Sequence, residues 1–224
     1  SKTSAELTLA YWDKNQTKTI EQNLKSFAKK YPNIKIKTNL AGFKDYWNKL
    51  RTQAQGNELP DVFWMNGPNI QLYAANGMLA PIDKITGAGV KWSNYPKALV
   101  DLYTFEGKHY GVPKDFDTIG VFYNKKIFKE AGVEAPTAGW TWDDFHDKAK
   151  KISDWGKSKG IYGCATTING DGQDTYYNTI AQAGGYVIKD HASGFGDPKS
   201  IEGLQCWADW VKDGSVASPK VVTD

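Results

Sequence analysis

The 224 residues include 28 basic and 25 acidic side chains, for a formal net charge of +3, and 40% of them are hydrophobic. A chain of this size has room for one large domain or two lobes of about 110 residues. Its longest apolar runs, such as Ala98-Leu99-Val100, fall far short of the roughly 20 residues that cross a bilayer. The charge is dispersed along the chain and Arg51 is the only arginine, whereas nucleic-acid readers concentrate arginine where phosphates and guanines are bound, so nucleic acid is not the expected partner. Nine tryptophans, 12 tyrosines and nine phenylalanines stand out; core packing is the expected use of most of them.

The N-terminal stretch, Ser1 to Glu6, has no apolar segment of the signal-peptide kind. Leu7, Leu9 and Tyr11 then alternate as a strand. Ile20, Leu24, Phe27, Ala28 and Tyr31 follow a helical period, with a capping box expected from Thr19 to Gln22 and a stop at Pro32. Ile34, Ile36, Thr38 and Leu40 predict a second strand. Trp47, Leu50 and Ala54 predict a second helix ending near Gly56, and Val62 to Met65 a short buried third strand. A helix from about Asn69 to Asn76 follows, with Gly77 as its C′ residue. This βαβαβα order implies a mostly parallel sheet with helices on both faces.

Periodicity lapses between Lys84 and Lys97. A helical stretch with Ala98, Leu99 and Leu102 leads to a turn at Phe105 to Lys108, and residues 109 to 113 read as a crossover. A second alternation begins with a strand at Ile119, Val121 and Tyr123 and a short helix ending at Gly132. The next helix is the best marked: Thr141 caps it, Asp144 stands three residues on, and Trp140 can staple to Phe145. A strand at residues 161 to 166, a helix from about Thr175 to Ala183, a strand at residues 186 to 188 and a helix from Ser200 to Lys212 complete the pattern. Ile201, Leu204, Ala208 and Val211 form the expected buried stripe of that last helix. The expected domains are an α/β lobe over residues 1–110 and a second, partial one over 111–224.

Catalytic and metal motifs are missing: there is no G-x-S-x-G, G-x-G-x-x-G, P-loop or H-E-x-x-H. His109, His146 and His191 are expected to be solvated, and Asp143-Asp144 to favour a helix N-terminus. Asn169 to Asp174 departs from a calcium loop at its sixth and twelfth places, Asp174 and Ile180. Cys164 and Cys206 form no C-x-x-C and are left open between a disulfide and two small buried thiols. No metal or cofactor is expected.

Ligands of open parallel sheets bind beyond the carboxyl ends of the strands. Trp12, Asp13 and Asn15 follow the first strand, Phe43 the second, and Trp64 and Asn66 the third. Asp117 stands at the entry of the second lobe, and Asn169, Gln173, Asp174 and Tyr176 follow the strand expected at residue 161. Indoles that cover apolar sugar faces, beside amides and carboxylates that bind hydroxyls in pairs, suit a carbohydrate. These eleven residues are the candidate ligand-binding set.

The stretch EGKHYGVPKDFDTIGVFYNKKIFKEAG, from Glu106 to Gly132, resembles the signature region of family 1 extracellular solute-binding proteins, the receptors of sugar ABC importers. Tyr46-Trp47-Asn48-Lys49-Leu50, Leu59-Pro60-Asp61-Val62-Phe63, Tyr73 to Leu79, Thr141 to Phe145 and Ala183-Gly184-Gly185 match in order. Lys114 departs from the signature, which prefers an apolar residue there. The resemblance implies a type II periplasmic-binding-protein-like α/β fold of two lobes joined by a hinge, with a cleft that closes on its ligand.

By resemblance to the maltodextrin-binding branch, Trp64 lines the sugar cleft, Asp117 hydrogen-bonds sugar hydroxyls, and Gln173-Asp174 sit in a contact loop. The resemblance further implies an oligosaccharide ligand, membrane permease partners, an extracytoplasmic location as a lipoprotein or periplasmic protein, and a monomer when full length. Family members are about twice as long, so the chain is expected to be an N-terminal part, with lobe II truncated. Two other readings stand beside this one: a glycan-active enzyme, since paired carboxylates and tryptophans also describe a hydrolase cleft, and a related receptor for a non-sugar solute.

Overall fold

Alternating apolar residues place Ala5–Tyr11 (β1) at the centre of a parallel sheet, in a computed structural model that describes residues 4–85 and 89–222. A 3-10 turn at Lys14–Gln16 runs into α1 (Thr17–Lys30), and Ile34–Leu40 (β2) returns alongside β1 in a register from Ala5 opposite Ile34 to Tyr11 opposite Leu40. After α2 (Phe43–Gln55), the short Val62–Phe63 (β3) pairs with Leu9 and Ala10 on the other edge of β1. The strand order is therefore β2-β1-β3. Helix α3 (Gly67–Ala75) follows, and Gly77 takes the left-handed φ of 66° that a helix terminus asks of glycine.

The capping box expected at Thr19 is absent. The 3-10 turn, capped by the Asp13 side chain, already carries the chain into the helix, whose own N-cap, Gln16, makes no side-chain capping bond. Helix α4 (Ile82–Ile85), a 3-10 turn at Trp92–Asn94 and α5 (Lys97–Leu102) lead to a hairpin of β4 (Thr104–Phe105) and β5 (Lys108–His109). Part of the aperiodic stretch, residues 86–88, lies outside the described residues. His109 is not simply solvated, as expected, but stacks on Trp92 at 3.9 Å and meets the Asp83 carboxylate at 2.9 Å. The His109 backbone N–H, which donates to Asp83 Oδ2 at 2.9 Å, and then the His109 ring hold the Asp83 carboxyl below the usual carboxylate range.

The chain divides into two compact units, one ending at Phe116 and the other beginning at Asp117. The core of the first gathers Ala10, Tyr46, Leu50 and Tyr73. Burying a residue such as Leu50 contributes about 1.5 to 3 kcal/mol.

The second unit is built mainly of helices. Asn124 caps α6 (Lys125–Ala131), and Gly132 ends it at φ 65°. Helix α7 (Trp142–Gly156) opens on the full Thr141–Asp144 capping box, and Trp140 lies edge-on to Phe145 with centroids 6.0 Å apart. Helix α8 (Tyr176–Gln182), a hairpin of β6 (Ile188–Lys189) and β7 (Ala192–Ser193), and α9 (Pro198–Lys212) follow. The core joins Phe145, Tyr176, Ile180, Trp207, Trp210 and Val216. His146 is likewise not merely solvated; it pairs with Asp213 at 2.6 Å and stacks on Trp210.

Three expectations for this unit are corrected. Residues 117–124 form no helix or strand where one was expected at Ile119, Val121 and Tyr123, and Ile119, Val121 and Phe122 lie exposed. The strand expected at 161 to 166 is reduced to a single parallel bridge between Cys164 and Val216. The buried face of α9 is Ser200, Gly203, Trp207 and Trp210, not the stripe containing Ile201 and Leu204, which are exposed. Close packing explains the last: a Cβ on Gly203 would stand 2.5 Å from the Ile180 backbone, so the face that carries the smallest residue is the one that can approach α8.

Cys164 and Cys206 are free thiols, both partly buried. Burial pushes the Cys164 thiol up to about 11.

Candidate functional site

The carboxyl ends of the three parallel strands bring six of the candidate residues together. Trp12, one residue past β1, is the hub of an aromatic cluster: its ring lies 5.6 Å from Phe43, 5.2 Å from Tyr46, 5.6 Å from Trp47 and 5.1 Å from Trp64. Trp64 follows β3 directly. Its N–H donates to the Ala10 carbonyl at 3.0 Å, and its own carbonyl accepts the Tyr46 hydroxyl at 2.7 Å. The indole is thus fixed through its backbone at the sheet edge while the ring stays half-exposed. Burial raises the Tyr46 phenol far above its ordinary range, so that hydroxyl remains a donor.

The polar members of this group have structural duties as well. Asp13 accepts from the Asn15 N–H and from Gln16 Nε2, both at 2.9 Å, so its carboxylate organises the loop after β1 and leaves Asn15 exposed. Asn66 is buried at the start of α3; its Oδ1 accepts from Asn69 Nδ2 at 2.8 Å, while its own Nδ2 has no partner among the described residues. A buried donor left unmade is costly.

The second unit gathers four more candidates at one turn, Asn169, Gln173 and Asp174 in the loop ahead of α8 and Tyr176 at the helix's first position. Asn169 Oδ1 accepts from the Asp171 N–H at 2.9 Å, and the Asn169 carbonyl accepts the Tyr176 hydroxyl at 2.9 Å. Tyr176 is itself buried in the core, so it closes the loop from beneath. Gly172 sits at φ 66°, and a Cβ there would meet the Tyr176 ring at 2.3 Å. That turn leaves Asp174 exposed and Gln173 half-buried, with Gln173 Nε2 donating to Asp171 Oδ2 at 3.3 Å. Asp117, at the start of this unit, is exposed on the irregular segment.

Asp171 is a residue the sequence reading missed. Its Oδ1 is buried and without a partner among the described residues, and burial, reinforced by the Asp174 charge, raises its carboxyl above the ordinary value of 3.8. A folded state that holds this proton more tightly than the unfolded chain loses stability as pH rises from about 4 through the raised value. Asp171→Asn, which cannot ionise, is therefore expected to escape that loss. The melting temperature of the variant minus that of the parent should grow with pH above about 4 and then level off; a difference independent of pH would refute it.

Comparison with known proteins supplies the family. The model of the bacterial extracellular solute-binding protein family matches residues 11–223. An uncharacterized ABC transporter extracellular-binding protein of Pyrococcus horikoshii is 35% identical over 137 residues, which cover 59% of this chain and 31% of that protein. The arabinooligosaccharide-binding protein of Bacillus subtilis is 27% identical over 222 residues, 94% of this chain and 48% of the relative.

Among solved structures, an ABC substrate-binding protein of Listeria monocytogenes in complex with cycloalternan superposes with a TM-score of 0.80 at 30% identity, covering 97% of this chain and 56% of that one. The chain thus spans about a third to a half of the curated relatives' length. Its α/β architecture is that of the periplasmic-binding-protein-like fold. With the family match running over nearly every residue, the chain belongs to the bacterial extracellular solute-binding proteins.

Proposed function

We propose that this chain is part of the substrate-binding protein of an ABC importer and that it binds an oligosaccharide without breaking any bond in it. The observation that carries this reading is the ring cluster of Trp12, Phe43 and Trp64 at the strand ends, with the unpartnered Asn66 amide beside it in sequence. Indole and phenyl rings supply apolar surface to the C–H faces of a sugar, and amide and carboxylate groups take its hydroxyls. Asp117, Asn169, Gln173 and Asp174 are the polar contacts proposed from the second unit.

The relatives support a sugar: one is named for arabinooligosaccharides and a similar structure holds cycloalternan. A membrane permease is the proposed partner. The matched family is extracellular, and attachment as a lipoprotein or residence in a periplasm, as a monomer, is the proposed setting.

Calorimetry of the intact protein against maltotriose, arabinotriose, chitobiose and larger oligosaccharides tests the reading. Saturable heat with at least one sugar, which is recovered uncleaved, is expected. Heat only with a peptide, a polyamine or a metal would sink it, and cleavage of the sugar would favour a glycan-active enzyme.

A further inference from the structure

Lys114 stands near the end of the first unit, and the structure sets its side chain against the ring cluster at the strand ends. Its ammonium stands over the ring of Trp64, 4.1 Å from the centroid. The same Nζ donates to Gln16 Oε1 at 3.0 Å and to the Asp115 carboxylate. Gln16 in turn donates through Nε2 to Asp13 at 2.9 Å. One chain of contacts therefore runs from the loop after β1, through a single amide, to the cation on the indole.

The arrangement separates two uses a lysine could have beside a sugar platform. A lysine that receives an anionic ligand keeps donors free for it. Here a carboxylate, an amide oxygen and a π face already engage the ammonium, so its charge is answered within the protein. What it does instead is cover the surface on which a sugar ring would stack. A ring and an ammonium cannot occupy the same face of one indole.

We propose that Lys114 is a specificity-determining residue that covers Trp64, so that a ligand gains this indole face only by displacing an internal cation. The proposal rests on the oligosaccharide reading of the platform. Gln16 and Asp115 hold the cation in place, and sugars whose stacking is weak are rejected because they cannot repay its displacement.

Removing the charge while keeping the length of the side chain should make the face easier to uncover, because Gln16 and Asp115 no longer hold what lies over it. With an exposed to desolvated cation–π contact as the scale, Lys114→Met is expected to tighten binding of the neutral oligosaccharide that gives heat in the panel above by roughly twofold to thirtyfold. Lys114→Arg, whose guanidinium also stacks on an indole, should keep the parent's affinity. The gain in Lys114→Met should shrink in a Trp64→Phe background, where the smaller ring offers less face to either competitor.

Unchanged or weaker binding by Lys114→Met, with the parent still binding sugar, overturns the proposal and leaves the sugar reading standing. An equal gain in the Trp64→Phe background also overturns it, since the effect would not run through the indole. No binding by either the parent or Lys114→Met overturns the sugar reading and this proposal together.

Discussion

Trp64→Ala is expected to weaken oligosaccharide binding by about 1 to 3 kcal/mol, a loss of roughly five- to 150-fold in affinity, on the scale of aromatic stacking against a planar or ring ligand. The size follows from what the substitution removes and what it spares. The N–H to Ala10 and the carbonyl to Tyr46 are backbone groups and survive in alanine, so the strand end keeps its course. The ring, with its edge contact to Trp12 and its tilted contact to Tyr11 at 5.5 Å, is lost. Some thermal stability goes with those contacts, so the titration belongs well below the variant's melting transition, with circular dichroism as the check on folding. Affinity equal to the parent's would remove Trp64 from the site.

Gly203→Ala is expected to destabilise the second unit by about 3 kcal/mol, at the upper end of what overpacking a closely packed contact costs. The added Cβ would sit 2.5 Å from both the N and the Cα of Ile180 and 2.6 Å from the Thr179 carbonyl. These are backbone atoms, which cannot swing aside as a flexible side chain would. Helices α8 and α9 would have to part, straining the hydrogen bond from Thr179 Oγ1 to the Gly203 carbonyl and the one from Trp207 Nε1 to Thr179 Oγ1. For a unit of this size the transition should fall by roughly 10 to 20 °C. Leu204→Ala, on the exposed face of the same helix, should shift it little. A Gly203→Ala protein that melts with the parent would show that the two helices do not meet at this glycine.

The residues that announced themselves in the sequence were those whose structure is decided locally. The Thr141–Asp144 box, the Gly77 and Gly132 terminators and the alternation of Leu7, Leu9 and Tyr11 depend on a few neighbours along the chain, and each stands where the pattern put it. The aromatic strand ends were legible for the same reason, since a parallel sheet places its loops at one edge.

What escaped depended on distant partners. Ile201 and Leu204 have the better apolar period, yet α9 turns Gly203 inward because only there can it approach α8. Ile119 to Tyr123 has the composition of a strand, but a strand exists only where another lies beside it. Lys114 takes its place from Trp64, a partner fifty positions earlier in the chain. Asp171 is in the sequence only one position of a loop that fails as a calcium site, because burial, unlike charge, cannot be read from a single residue.

The ring cluster also bears on how the first unit is completed. Among the described residues, the aromatic partners of Trp12, namely Phe43, Tyr46, Trp47 and Trp64, lie within the first 64 residues, and so do all three strands of the parallel sheet. Lys114 belongs to the same compact unit, which ends at Phe116, and domains fold as units in the order of their synthesis. The stacking face and the cation over it are therefore finished in one folding event, with the cation contributed by the last residues of that unit.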